Sequence, residues 1–120
     1  TTLLEMAFTG NCGFEVDLNV AGKSDLEILF DEEVGIVIEV PTASAASVTA
    51  AYTDAGLSAS VIGKTTAIKR TVIRVNGVVV VDSDMTALRD VWEATSFQLE
   101  YRQCNPECVE QEEATLAGRT

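Results

Sequence analysis

The sequence predicts an α+β fold, an α/β sandwich in which helices pack on a mixed β-sheet. Three observations carry that prediction. The apolar period switches from the helical spacing of Leu26, Leu29 and Phe30 to the alternation of Val34, Ile36, Ile38 and Val40, with no flexible linker between them. Helical and strand-like segments alternate up to Ile62 and then give way to a hairpin centred on Asn76-Gly77. The composition, 47% hydrophobic and 22% charged over 120 residues, is that of one globular domain with a real core.

Taken in order, Leu3, Leu4, Met6, Ala7 and Phe8 predict the end of a helix that stops at Gly10, with Asn11 and Gly13 suited to left-handed turns. Phe14, Val16, Leu18 and Val20 alternate with Glu15, Asp17 and Asn19, which predicts a strand with one face in the core. Ala21-Gly22-Lys23 is a turn. Ser24 and Glu27 have the spacing of a capping box, opening a short helix whose apolar stripe is Leu26, Leu29 and Phe30. Val34 to Val40 then reads as the central strand, buried on one face and nearly buried on the other.

Pro41 ends that strand and leads into a helix through the Ala-rich segment to Ala55, with Val48, Ala51, Tyr52 and Ala55 as its buried stripe. Leu57 to Ile62 reads as a short strand, and Gly63 to Thr66 as a turn. Ile68–Val75 and Val78–Val81 flank Asn76-Gly77, which supplies the positive φ values of a type I′ hairpin. Asp82-Ser83-Asp84 reads as the cap of a last helix whose inner face is Leu88, Val91, Trp92, Thr95 and Leu99. Asn105-Pro106 breaks that helix, and Glu110 to Thr120 reads as an acidic, mobile or linking tail.

Net charge is −11, from 8 Lys and Arg against 19 Asp and Glu. Such a surface repels phosphate backbones and anionic membranes, so neither nucleic acid nor a membrane is expected as a partner. The longest apolar run is too short to cross a bilayer. The first ten residues lack a basic start and a cleavage pattern, so no signal peptide is expected, and Thr1 is expected to be a cut inside an element. Three cysteines, Cys12, Cys104 and Cys108, are too few and too odd for a disulfide scaffold and suit a reducing cytoplasmic setting.

Several motifs invite a chemical reading and then fail to complete it. The chain has no histidine, which removes His-based triads and Cys-His dyads within this chain. Cys12, in Gly-Asn-Cys-Gly, has no base to activate it and is expected to be a small thiol at a helix end. Cys104 and Cys108 have no second pair of ligands for zinc. Gly63-Lys64-Thr65-Thr66 matches only the end of a phosphate loop, since Ser58 stands where the first glycine belongs and no helix follows. Glu32 and Glu33 are adjacent on a helix and do not face each other, so they read as solvated surface rather than a metal site. No catalytic, cofactor-binding or metal-ligating residue is therefore assigned.

Four segments carry a resemblance. They are Leu4-Glu5-Met6-Ala7-Phe8-Thr9-Gly10-Asn11-Cys12-Gly13, Leu29-Phe30-Asp31-Glu32-Glu33-Val34-Gly35-Ile36-Val37-Ile38-Glu39-Val40, Trp92-Glu93-Ala94-Thr95-Ser96-Phe97-Gln98-Leu99 and Asn105-Pro106-Glu107-Cys108-Val109-Glu110-Gln111-Glu112. In this order they resemble the large, single-chain phosphoribosylformylglycinamidine synthases. The first two alone would fit the wider superfamily that includes aminoimidazole ribonucleotide (AIR) synthetase.

The resemblance implies a partial AIR-synthetase-type C-terminal domain over residues 1–103, truncated at its N-terminal side. It further implies that residues 104–120 are a linker toward a glutaminase domain. The parent would be a cytoplasmic ATP-dependent ligase of purine biosynthesis, using glutamine, ATP and Mg²⁺ to convert formylglycinamide ribonucleotide to its amidine. The family's acidic motif, His-Asp-x-Ser-Asp-Gly-Gly, would lie before Thr1 and the glutaminase Cys, His and Glu beyond Thr120. The piece itself is thus expected to be inactive and to hold no cofactor. Its expected partners are the parent's other domains. A dimerisation or binding module exposed by truncation is the alternative, and another member of the superfamily is the third.

Overall fold

The computed structural model describes residues 1–116, and the end of the tail expected from Glu110 to Thr120 lies outside the described residues. The elements are α1 (Thr2–Gly10), β1 (Gly13–Leu18), α2 (Asp25–Phe30), α3 (Ala45–Asp54), β2 (Gly63–Thr66), β3 (Arg70–Val75), β4 (Val78–Asp84), α4 (Met85–Gln103) and α5 (Pro106–Leu116), with a short 3₁₀ turn over Thr42–Ser44. Helices accompany a mixed four-stranded sheet of order β2-β1-β3-β4, the α+β class that the sequence predicts. The chain divides into two compact units, Thr1–Met85 and the part from Thr86 onward.

In the first unit the sheet is built around β1 and β3, which run parallel with Phe14 beside Thr71 and Val16 beside Ile73. β2 and β4 flank them, each antiparallel to its neighbour. Alternation puts Phe14 and Val16 on the same face as Thr71, Ile73 and Val75, and all five are buried. Ala7 and Met85 complete the core, against which Leu3, Leu4 and Phe8 of α1 pack. Burying a Val, Ile, Phe or Met side chain contributes roughly 1.5–3 kcal/mol, so this small cluster holds the unit together.

α1 ends at Asn11, whose φ of 48° is left-handed, with the Cys12 N–H bonded to the Ala7 carbonyl at 3.2 Å. Gly13 serves differently from the expected turn. Its φ is not positive, and a Cβ there would strike the backbone of Ile68 and Arg70. Gly63 on β2 is in the same position against the backbone of Glu15 and Val16. These two glycines let neighbouring segments approach too closely for any side chain.

Several expected elements are displaced. Val34–Val40 is not a strand, and it is not the spine of the sheet. Residues 31–41 have no regular structure, and Val34, Ile36 and Ile38 are 105%, 85% and 48% exposed. Alternation makes a strand only where another backbone supplies the ladder, and no strand of this sheet comes from that stretch. The strand and turn expected at 57–66 exchange places. Residues 57–62 are irregular and Gly63–Thr66 is the strand β2, because Gly63 permits the close approach to β1. Asp82-Ser83-Asp84 finishes β4 rather than capping a helix, paired with Arg70, Thr71 and Val72.

The helices correct the sequence in a second way. The capping box of α2 is present, with Ser24 Oγ accepting from the Glu27 N–H at 3.4 Å and Glu27 Oε2 accepting from the Ser24 N–H at 2.7 Å. Yet Leu26 and Phe30 are 70% and 74% exposed, and only Leu29 of that stripe packs on the core. α3 buries none of its expected stripe: Val48 is half-buried, while Ala51, Tyr52 and Ala55 are exposed.

In the second unit, the expected inner face of α4 is exposed except at Leu88, which is half-buried. Val91, Trp92, Thr95 and Leu99 are exposed, whereas Arg89 is buried and Glu93, Phe97 and Glu100 are half-buried. Periodicity locates an apolar stripe but not what covers it. The segment after Asn105 is helical where no periodicity predicts it. Asn105 Oδ1 accepts the Glu107 N–H at 3.2 Å, and Pro106 takes the first helical position, so the pair that ends α4 also starts α5.

Candidate functional site

An open groove runs along α1 in the first unit, lined by Thr2, Glu5, Met6, Thr9, Gly10 and Glu39. Two of its polar side chains are already engaged with protein. Thr9 Oγ1 donates to the Glu5 carbonyl at 2.9 Å, and Glu39 Oε1 accepts from Thr65 Oγ1 at 2.9 Å. The second bond holds the 31–41 stretch to β2 at one point. The lining has no thiol, imidazole or amine, so the groove presents two carboxylates and no group that could activate a nucleophile at its side.

Elsewhere in the unit, Lys23 Nζ bridges Asp31 Oδ2 at 2.6 Å and Glu33 Oε1 at 2.8 Å. The hydrogen bonds to Asp31 and then Glu33 raise its pKa well above the usual lysine value, so it stays an ammonium and is no base. Across the β3–β4 pair, Arg70 Nε donates to Asp82 Oδ1 at 2.6 Å, which holds the Asp82 carboxyl below its ordinary value. Both sets of ion pairs lie at the surface and contribute little to stability.

The positions singled out in the sequence stay apart. Cys12 is half-buried at the end of α1, and Cys104 and Cys108 are exposed at the α4–α5 break, all three as free thiols. Lys64 is on β2, opposite Glu15, not in a loop before a helix. Glu32 and Glu33 are both exposed, and Glu33 pairs with Lys23. Among the described residues no group of three or more His, Cys, Asp or Glu could hold a metal ion. The sequence does not single out Glu5, Glu39 or Lys23. The available signals were Glu39 as the one acid within an apolar alternation and Lys23 as the one base in an acidic stretch.

Comparison with known proteins adds what the geometry lacks. Residues 1–76 match the family model described as "AIR synthase related protein, C-terminal domain". The chain belongs to this family. It is also 46% identical over 122 residues to the human protein named phosphoribosylformylglycinamidine synthase. It is 39% identical over 118 residues to the Arabidopsis thaliana protein named as a probable phosphoribosylformylglycinamidine synthase, chloroplastic/mitochondrial. These alignments cover 99% and 98% of this member of the AIR synthase C-terminal family, but the chain spans only 9% and 8% of those relatives' lengths. No helix among the described residues is long and apolar enough to cross a membrane.

Proposed function

We propose that this chain is a structural part of a phosphoribosylformylglycinamidine synthase, the ATP- and glutamine-dependent ligase that forms the amidine of formylglycinamide ribonucleotide in purine biosynthesis. The observation that carries this reading is similarity over 99% of the chain, reaching well past the residues 1–76 of the family model. A chain sharing only the superfamily domain would not be expected to match through α4 and α5. That disfavours other members of the AIR synthetase superfamily.

In this reading the chain walls the synthetase cleft and packs on neighbouring domains, while chemistry resides elsewhere in the parent. The residues present do not fit ATP or Mg²⁺: Glu39 is engaged by Thr65, and Lys23 by two carboxylates. The glutaminase reaction likewise belongs to another domain, and a set of only three cysteines supports a reducing cytoplasmic setting.

The test is direct. The full-length protein should form the amidine from formylglycinamide ribonucleotide with ATP, Mg²⁺ and glutamine, and residues 1–120 alone should form none. Amidine formation by residues 1–120 with ammonia would overturn the structural role, and its absence in the full-length protein would overturn the assignment. A dimerisation module is the second reading, favoured by the exposure of Ile36, Phe30 and Val91. Sedimentation of the 120-residue chain as a monomer at high concentration would count against it.

A further inference from the structure

The exposed stripe of α4 is the strongest unexplained feature. The half-buried Leu88 and the exposed Val91, Trp92, Thr95 and Leu99 recur at helical spacing, so they form one continuous band on an α-helix of 3.6 residues per turn. Val91, Trp92 and Leu99 are 76%, 54% and 52% exposed. The acids of α4, Asp90, Glu93 and Glu100, all fall on the other half of the helix, although the chain carries 19 acidic residues in all. Exposed, acid-free apolar bands of this kind mark contact surfaces.

Two observations say what covers it. The family model stops at residue 76, in the β3–β4 turn, whereas similarity to the two synthases runs through α4 in chains of which this one is 9% and 8%. The band therefore belongs to a segment shared with the synthases, most of whose polypeptide lies outside this chain. The net charge of −11 also works against a second copy, because pairing would bring two strongly acidic bodies together. Resting on the reading of the chain as part of a synthase, we propose that the Val91–Leu99 face of α4 docks an apolar face from another domain of the same polypeptide. The contact is a dry, intramolecular joint.

Site-specific photocrosslinking in the full-length protein tests this. p-Benzoylphenylalanine is placed separately at Val91, at Leu99 and, as the opposite-side control, at Asp90, in mixed isotopically light and heavy chains. Positions 91 and 99 should each crosslink to a peptide outside residues 1–120 of the same isotopic chain, and position 90 should lose that crosslink. Light-to-heavy crosslinks would assign the face to a second copy, and crosslinks only to residues 1–85 would assign it to this chain. Either result, or no crosslink from 91 and 99, overturns the proposal. Amidine formation by the same preparations separates the two readings. If the crosslinks form without it, the synthase assignment fails and the joint stands; if it occurs without crosslinks, the joint alone fails.

Discussion

Asn76, at the tip of the β3–β4 hairpin, holds both backbone polar groups of Val20, 56 residues away: the Val20 N–H donates to Asn76 Oδ1 at 3.1 Å, and Asn76 Nδ2 donates to the Val20 carbonyl at 3.3 Å. Its own N–H donates to the Leu18 carbonyl at 3.1 Å, and the Gly77 N–H donates to Asp17 Oδ1 at 3.1 Å. The hairpin turn is thus sewn to the end of β1. It fixes the register of the central parallel pair as well as its own.

Replacing Asn76 tests that stitch. Asn76→Ala loses two side-chain bonds and puts a Cβ-bearing residue with no local polar group at φ 49°, so the expected loss is about 2 kcal/mol in urea unfolding of the 120-residue chain. Asn76→Gly tolerates the backbone and should cost about half as much. Equal stability of all three proteins would show that the stitch is inert.

Close packing of β1 predicts a sharp contrast among glycines. Gly63→Ala and Gly13→Ala push a methyl into neighbouring backbone and should each cost about 3 kcal/mol. Gly35→Ala has nothing within 4 Å and should be close to neutral. Denaturation midpoints of the three variants, measured side by side, check the ordering.

Thr71 is fully buried between β1 and β4, and its Oγ1 has no hydrogen-bond partner among the described residues. A buried hydroxyl without a partner costs more than the methyl that would replace it. Thr71→Val keeps the shape and the strand preference, so it should stabilise the chain by about 1 kcal/mol. A lower urea midpoint for this variant would mean that the hydroxyl is satisfied in solution.

The capping box gives a pH dependence of known sign. The Ser24 N–H, and then the Ser24 hydroxyl, lower the pKa of Glu27 below its ordinary value. A depressed carboxyl stabilises the fold above its unfolded pKa, and that contribution disappears as pH falls through the folded value. The Ser24 amide resonance should therefore shift on acidification, with a midpoint below the ordinary glutamate range. In Glu27→Gln, which cannot titrate, that shift should be absent.

The local devices were legible in the sequence because they are closed by neighbours a few residues apart. The Ser24–Glu27 capping box and the Asn11 helix end need no other part of the chain, and the positive φ values of the Asn76-Gly77 turn are set by those two residues. Periodicity also located the apolar faces of α2, α4 and the 34–40 stretch. It could not say what meets them, since an apolar pattern records only that a face avoids water. Tertiary structure decided three things. Gly13 and Gly63 are where backbones meet, Met85 and Arg89 rather than Val91 are buried on α4, and Ile36 and Ile38 stay exposed. Each depends on which surface lies opposite, and that is a property of the whole polypeptide rather than of any window within it.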